Sequence, residues 1–216
     1  MLYIIGLGLN VDGISKFGLE IVKKCKRVYL ENYTVDFPYS AGELGEKFLK
    51  KLLPADREKV ESLEIVDEAQ KMDVALLVYG SPLTATTHIS LIQEAKRLGV
   101  RHKVIYSASI LDAVAETGLQ LYKFGKIASM PAWKKNYSPD SFMEIVKENK
   151  SIKAHSLILV DIGLDFQDAL EQLKVAAENH KVKLNKLVVC QVLGTKRSKV
   201  MYKPIEEFEE YRSVKK

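Results

Sequence analysis

The stretch from Val74 to Ser90 (VALLVYGSPLTATTHIS) sets the tightest limit on the fold. Val74 to Tyr79 is apolar without a break and only six residues long. A segment of this kind reads as a strand buried on both faces, as in a parallel sheet. Gly80-Ser81-Pro82 stops it, and Thr86 or Thr87 is placed to cap an amphipathic helix from about His88 to Leu98. Strand, tight turn and helix follow one another. In open α/β sheets such a turn lies at the carboxyl end of a strand, where ligands bind. Gly80 lets the backbone pass close to a ligand. Taken alone, the same residues describe an ordinary connecting turn.

The rest of the chain repeats the alternation. Residues 2–9 predict a first strand ending in Gly6-Leu7-Gly8-Leu9; Ser15 caps a helix through about Lys24, and Arg27 to Glu31 is the next strand. A loop over 34–42 leads to a helix from about Glu43 to Leu53, ended by Pro54. Residues 56–72 predict a short strand (Val60 to Ile65) and a short helix. Lys103 to Tyr106 is a further strand after the Gly99 stop. Four or five parallel strands then make one layer, an N-terminal α/β domain over residues 1–110. A second α/β domain over 111–216 is expected to hold a mixed sheet. A helix from Ser107 to about Thr117 leads into it. An extended segment at Tyr122–Pro131 and an aromatic loop at Trp133–Pro139 come next. Helices at Asp140–Glu148 and Asp165–His180 flank a strand at Ser156–Ile162. Leu187–Leu193 and Lys199–Tyr202 read as antiparallel strands across a Gly194–Ser198 turn, and Ile205–Arg212 as a short terminal helix. A cleft between the domains is expected.

Several functions are set aside by composition. The 216 residues carry 33 basic and 28 acidic side chains, a net charge of +5. The lysines fall in scattered pairs such as Lys23-Lys24 and Lys134-Lys135, which solvated helix faces explain, so no nucleic-acid partner is expected. No apolar stretch approaches the roughly 20 residues that span a bilayer. The chain opens directly on strand-like Leu2 to Ile5, and Cys25 and Cys190 stand in no metal-type spacing. A cytoplasmic protein with free thiols and no membrane association is the expectation.

The usual catalytic constellations are missing from the sequence. His88, His102, His155 and His180 make no metal-ligand spacing, so no metal site is expected. His88 alone stands near a turn, where a structural or capping role competes with a functional one. Asp112, Asp140 and Asp161 fall where caps and loop contacts account for most aspartates. Gly6-x-Gly8 begins a dinucleotide pattern, and Glu31 is placed as its ribose acid, but Val11 takes the place of the third glycine and a lone G-x-G is a weak signal, so no nicotinamide cofactor is expected. What remains is a set of small-residue turns after strands: 6–9, 80–84, 107–110 and 160–162. With Leu9, Leu83 and Ile110 they suit a flat aromatic ring with a polar tail, the character of a nucleoside-derived cofactor. Methyl transfer from a sulfonium donor needs chiefly in-line positioning and an unprotonated nucleophile. Chemistry of that kind requires no acid–base constellation, and no catalytic side chain is assigned.

Particular tetrapeptides sharpen this. Met1–Leu9 (MLYIIGLGL), Val28–Thr34 (VYLENYT), Gly80–His88 (GSPLTATTH), Ser107–Ile110 (SASI), Thr117–Gly125 (TGLQLYKFG), Ile145–Asn149 (IVKEN) and His155–Ile162 (HSLILVDI) occur in this order. The chain in this respect resembles the diphthine synthase group of the tetrapyrrole-methylase-like S-adenosylmethionine (SAM) enzymes, over roughly residues 1–165. The resemblance implies the two-domain tetrapyrrole-methylase-like α/β fold with SAM in the cleft, and a homodimer. It also implies methylation of the 3-amino-3-carboxypropyl group on a histidine of translation elongation factor 2. The SAM contacts it implies are Leu9, Ser81, Thr84, Ser109, Ile110, Val160 and Leu193.

Two departures from the family pattern stand out. Ser81 occupies the position of the aspartate in the family's Gly-Asp-Pro-Leu turn. The family's closing strand and last helix find no match after Lys203-Pro204. Two alternatives stay open beside the methyltransferase. One is a diverged, weakly active or non-catalytic paralogue that serves as a binding module; the other is a methyltransferase for a small tetrapyrrole-like molecule.

Overall fold

The computed structural model describes residues 1–211. Along the first half of the chain, β1 (Leu2–Gly6), α1 (Lys16–Lys24), β2 (Arg27–Glu31), α2 (Ala41–Phe48) and β3 (Leu53–Ala55) are followed by α3 (Arg57–Glu61), α4 (Glu64–Lys71), β4 (Val74–Val78), α5 (Ile89–Arg97), β5 (His102–Ile105) and α6 (Ile110–Ala113). The five strands form one sheet in the order β3-β2-β4-β1-β5, with every pairing parallel. All five residues of β4 are buried, as its unbroken apolar run requires of a central strand. Each of its larger side chains contributes about 1.5–3 kcal/mol by leaving water.

The two faces of the sheet are covered by different helices. Leu2, Ile4, Leu76 and Val78 pack against Ile65 and Val66 of α4 and Leu91 and Ile92 of α5. Ile5, Ala75, Leu77 and Val28 pack against Ile21 and Val22 of α1 and Leu44 and Phe48 of α2. The chain therefore leaves β1 toward one face and its neighbour β4 toward the other. That makes the carboxyl ends of β1 and β4 the topological switch point of the sheet.

Local signals explain most of these elements, and three expectations need correction. Ser15 caps α1 as expected, its Oγ accepting from Gly18 N–H at 3.0 Å. The second helix ends well before Pro54. Leu49 takes a left-handed conformation, φ +52°, and Pro54 lies inside β3, where an edge strand tolerates a missing donor. Residues 56–72 hold two helices and no strand. Asp56 caps the first of them, α3, by accepting from Lys59 N–H. Neither Thr86 nor Thr87 caps α5; the capping position is His88, which makes no side-chain cap bond.

The second half contains β6 (Ala128–Met130), α7 (Phe142–Ser151), β7 (Ile158–Val160), α8 (Phe166–Asn179), β8 (Lys186–Gln191) and β9 (Lys199–Pro204). Parallel and antiparallel pairing are both present in this half, carried by two separate two-stranded sheets, β6-β7 parallel and β8-β9 antiparallel. Phe142, Met143 and Val146 of α7 and Leu173 and Ala176 of α8 form the core under β6. A buried Asn149 side chain holds Lys126 at both its N–H and its C=O, and buried Gln172 does the same work at Trp133 and Pro131. The expected terminal helix is a single 3₁₀ turn at Ile205–Phe208; Arg212, its expected end, lies outside the described residues. The chain divides into two compact units: Met1–Ala113 together with Val192–Arg197, and Val114–Gln191 together with the chain from Ser198.

Candidate ligand site at the carboxyl edge of the parallel sheet

Three loops leave the sheet at the switch point and are tied by backbone and by small side chains. Gly8 and Gly80 exchange two hydrogen bonds, each N–H donating to the other's carbonyl at 3.0 Å, both in left-handed conformation at φ +69° and +70°. A Cβ on Gly6 would stand 2.6 Å from the Gly80 carbonyl oxygen and 2.7 Å from Pro82. Ser107, beyond β5, donates from Oγ to the Gly13 carbonyl at 2.8 Å. Glycine at 6, 8 and 80 is thus what permits the first and central turns to close on each other.

A fourth segment joins this edge from far along the chain. Asn10 donates from Nδ2 to the Gly194 carbonyl at 2.8 Å, and Gly194 stands so close to Leu9 that a Cβ would meet its side chain at 2.7 Å. Leu9 and Leu193 are both buried. Tyr79 donates its hydroxyl to the Leu9 carbonyl at 3.0 Å, and burial pushes its pKa up to about 12. Phe37 packs edge-on to Tyr79 at 5.5 Å, which backs the turn with aromatic surface.

The seven SAM contacts implied by the resemblance fall as follows. Leu9, Ser81, Thr84, Ser109, Ile110 and Leu193 all belong to the first unit. Ser81 and Thr84 share the turn after β4, where the Thr84 N–H donates to the Ser81 carbonyl at 3.4 Å. Ser109 is buried beside Gly80; its N–H donates to Asp112 at 2.7 Å, and its Oγ accepts from Leu111. Ile110, 45% exposed, offers apolar surface at the start of α6. Val160 is in the second unit, half exposed at the end of β7. Asn10 and Tyr79, which brace Leu9 and Gly194, escaped the reading from sequence because their partners lie 184 and 70 positions away.

The polar residues singled out in the sequence have structural partners. Glu31, fully buried at the end of β2, accepts from the N–H groups of Tyr33 and Thr34 and from Thr34 Oγ1 at 2.7–3.0 Å. It serves the β2 loop. Asp112 closes the start of α6, Asp140 faces His180 and Asn179, and Asp161 accepts from Ala132 and Ile162 N–H groups. His88 is fully buried, and burial pushes its pKa down to about 4, so its imidazole is neutral near pH 7.

The chain matches the family model described as Tetrapyrrole (Corrin/Porphyrin) Methylases over residues 1–209. It is 46% identical over 170 residues to a diphthine methyl ester synthase of Schizosaccharomyces pombe, covering 77% of this chain and 60% of the relative. With the human diphthine methyl ester synthase it shares 46% identity over 176 residues, covering 80% of this chain and 61% of the relative. A solved structure of a candidate diphthine synthase from Entamoeba histolytica superposes with a TM-score of 0.88 at 33% identity, covering 98% of this chain and 87% of that one. The chain thus spans about 60% of the length of the curated relatives it matches.

Proposed function

The chain belongs to the tetrapyrrole (corrin/porphyrin) methylase family, and from that premise we propose that it is a SAM-dependent methyltransferase of the diphthine synthase type. The 46% identity with diphthine methyl ester synthases carries the reading. The acceptor is the 3-amino-3-carboxypropyl group on a histidine of translation elongation factor 2, met in the cytoplasm, and the enzyme works as a homodimer.

The residues at the switch point fit this cofactor. Gly80 bears no side chain, and a Cβ there would find its nearest neighbour only at 3.8 Å, so backbone is open to close approach. Ser81, Thr84 and Ser109 supply hydroxyl and backbone partners for a ribose and an amino-acid tail, while Leu9, Leu193 and Ile110 supply apolar edges for a base. The place of Val160 rests on the resemblance. When bound, SAM supplies an electrophilic methyl group on a sulfonium. The task of the chain's own residues is to hold the acceptor in line and to keep water out, for which apolar walls and fixed backbone dipoles suffice.

Calorimetric titration with SAM and S-adenosylhomocysteine tests the reading. Micromolar binding is expected, lost in Gly80→Trp. Ser81→Asp, which restores a carboxylate able to accept a charge-assisted hydrogen bond, is expected to tighten binding about tenfold or more. No heat of binding at millimolar ligand in the wild type would sink the proposal.

A further inference from the structure

The segment between the central turn and α5 concentrates unfavourable features. Leu83 and Ala85 both adopt left-handed backbone, φ +67° and +56°, where a Cβ crowds the carbonyl oxygen. Thr86 Oγ1 and His88 Nδ1 are buried and without a hydrogen-bond partner, against the strong tendency of buried polar atoms to be paired. A segment so strained keeps its shape only where its surroundings over-determine it.

At its start the segment is held by the Gly8–Gly80 exchange. At its end it is held by His88, whose Nε2 lies 3.5 Å from the Tyr33 hydroxyl, with the two rings 6.2 Å apart, and the exposed Thr87 side chain also reaches Tyr33. Tyr33 is itself fixed from the β2 side. Its N–H donates to buried Glu31, and the Arg57 guanidinium lies 4.9 Å above its ring. Because β2 and β4 are neighbours in the sheet, this contact joins two adjacent carboxyl-end loops beside the switch point.

Resting on the methyltransferase reading above, we propose that His88 is a positioning residue. Through Tyr33 it locks the Ser81–Thr87 loop to the β2 loop, so that Ser81 and Thr84 are presented to SAM before it arrives. A loop set in advance spares the ligand the cost of ordering it. Buried as it is, His88 touches no substrate, and its effect falls on cofactor affinity rather than on the chemical step.

Three variants test this: Tyr33→Phe, His88→Asn and His88→Gln. Two readouts serve, amide hydrogen exchange over residues 81–88 in ligand-free protein, and SAM titration by calorimetry. Tyr33→Phe and His88→Asn are each expected to speed exchange in the segment and to raise the Kd for SAM about tenfold, with KM for SAM raised and kcat little changed. His88→Gln, whose amide reaches the position of Nε2, is expected to remain within about threefold of wild type. Tyr33→Phe removes one oxygen from a partly exposed side chain, so it carries the test even if His88→Asn does not fold. Wild-type protein that binds no SAM overturns the function reading, and this proposal with it. Wild-type binding matched by equal binding and unchanged exchange in Tyr33→Phe overturns this proposal alone.

Discussion

Gly8 and Gly80 face each other across the carboxyl ends of β1 and β4, and each donates its N–H to the other's carbonyl at 3.0 Å. Both need left-handed backbone, but their surroundings differ. A Cβ on Gly8 would meet Gly13 atoms at 2.9 Å, whereas on Gly80 it would meet nothing nearer than 3.8 Å. Gly80→Ala should therefore cost only the conformational penalty, about 1–2 kcal/mol. Gly8→Ala should cost about 1–3 kcal/mol more, because backbone has to move. Urea unfolding midpoints of the two variants check the order; equal losses would contradict it.

Acid should weaken the fold through His88. Its pKa is about 4 in the folded state against an ordinary 6.5, so on acidification the unfolded chain takes the proton first. The contribution is complete above about pH 6.5, declines as pH falls toward 4, and changes no further below that. Its full size is about 3 kcal/mol. Urea unfolding at pH 7 and pH 4.5 measures the slope, and His88→Asn should flatten it.

Glu31 is a structural carboxyl whose loss should be felt through the β2 loop. It accepts from three donors, and Glu31→Ala leaves all three without it, at about 3 kcal/mol or more. Glu31→Gln keeps an acceptor for the two N–H groups and should lose about 1–2 kcal/mol. Thermal melting of the pair tests whether the loss follows the donor count.

Gly194 and Leu9 should behave as a coupled pair. Gly194→Ala combines left-handed φ, +74°, with a Cβ 2.7 Å from Leu9 Cβ and Cδ1, a loss of about 2–4 kcal/mol. Adding Leu9→Ala removes one of the two colliding atoms. The double variant should fall short of the summed losses by about 1 kcal/mol, read from a double-mutant cycle. Strict additivity would mean the two residues do not press on each other.

Elements carried by strong local signals are legible in the sequence. The apolar run of β4 could hardly be anything but an inner strand, Ser15 marked the start of α1, and Gly194 marked the turn between β8 and β9. The misreadings lie where short segments support two periods. Val60 and Ile65 fit a strand on composition, yet both point into the core from short helices begun at Asp56 and Leu63. Pro54 looked like a helix stop, but Leu49 had already ended the helix with a conformation no leucine advertises. Around the candidate site, the glycine turns were visible in the sequence as glycines. The bond from Asn10 to Gly194 was not, since nothing local in either residue specifies a partner 184 positions away.

That long-range bond bears on the order in which the molecule is made. Val192–Arg197 belongs to the first unit although most of the second is encoded before it. During synthesis the first five strands can leave the ribosome and pair while Leu9 still lacks its cover. Only after residue 197 has emerged can the amino-terminal half reach its final form. A gene cut after residue 113 would therefore yield a sheet with one part of its carboxyl-end surface left permanently unfinished.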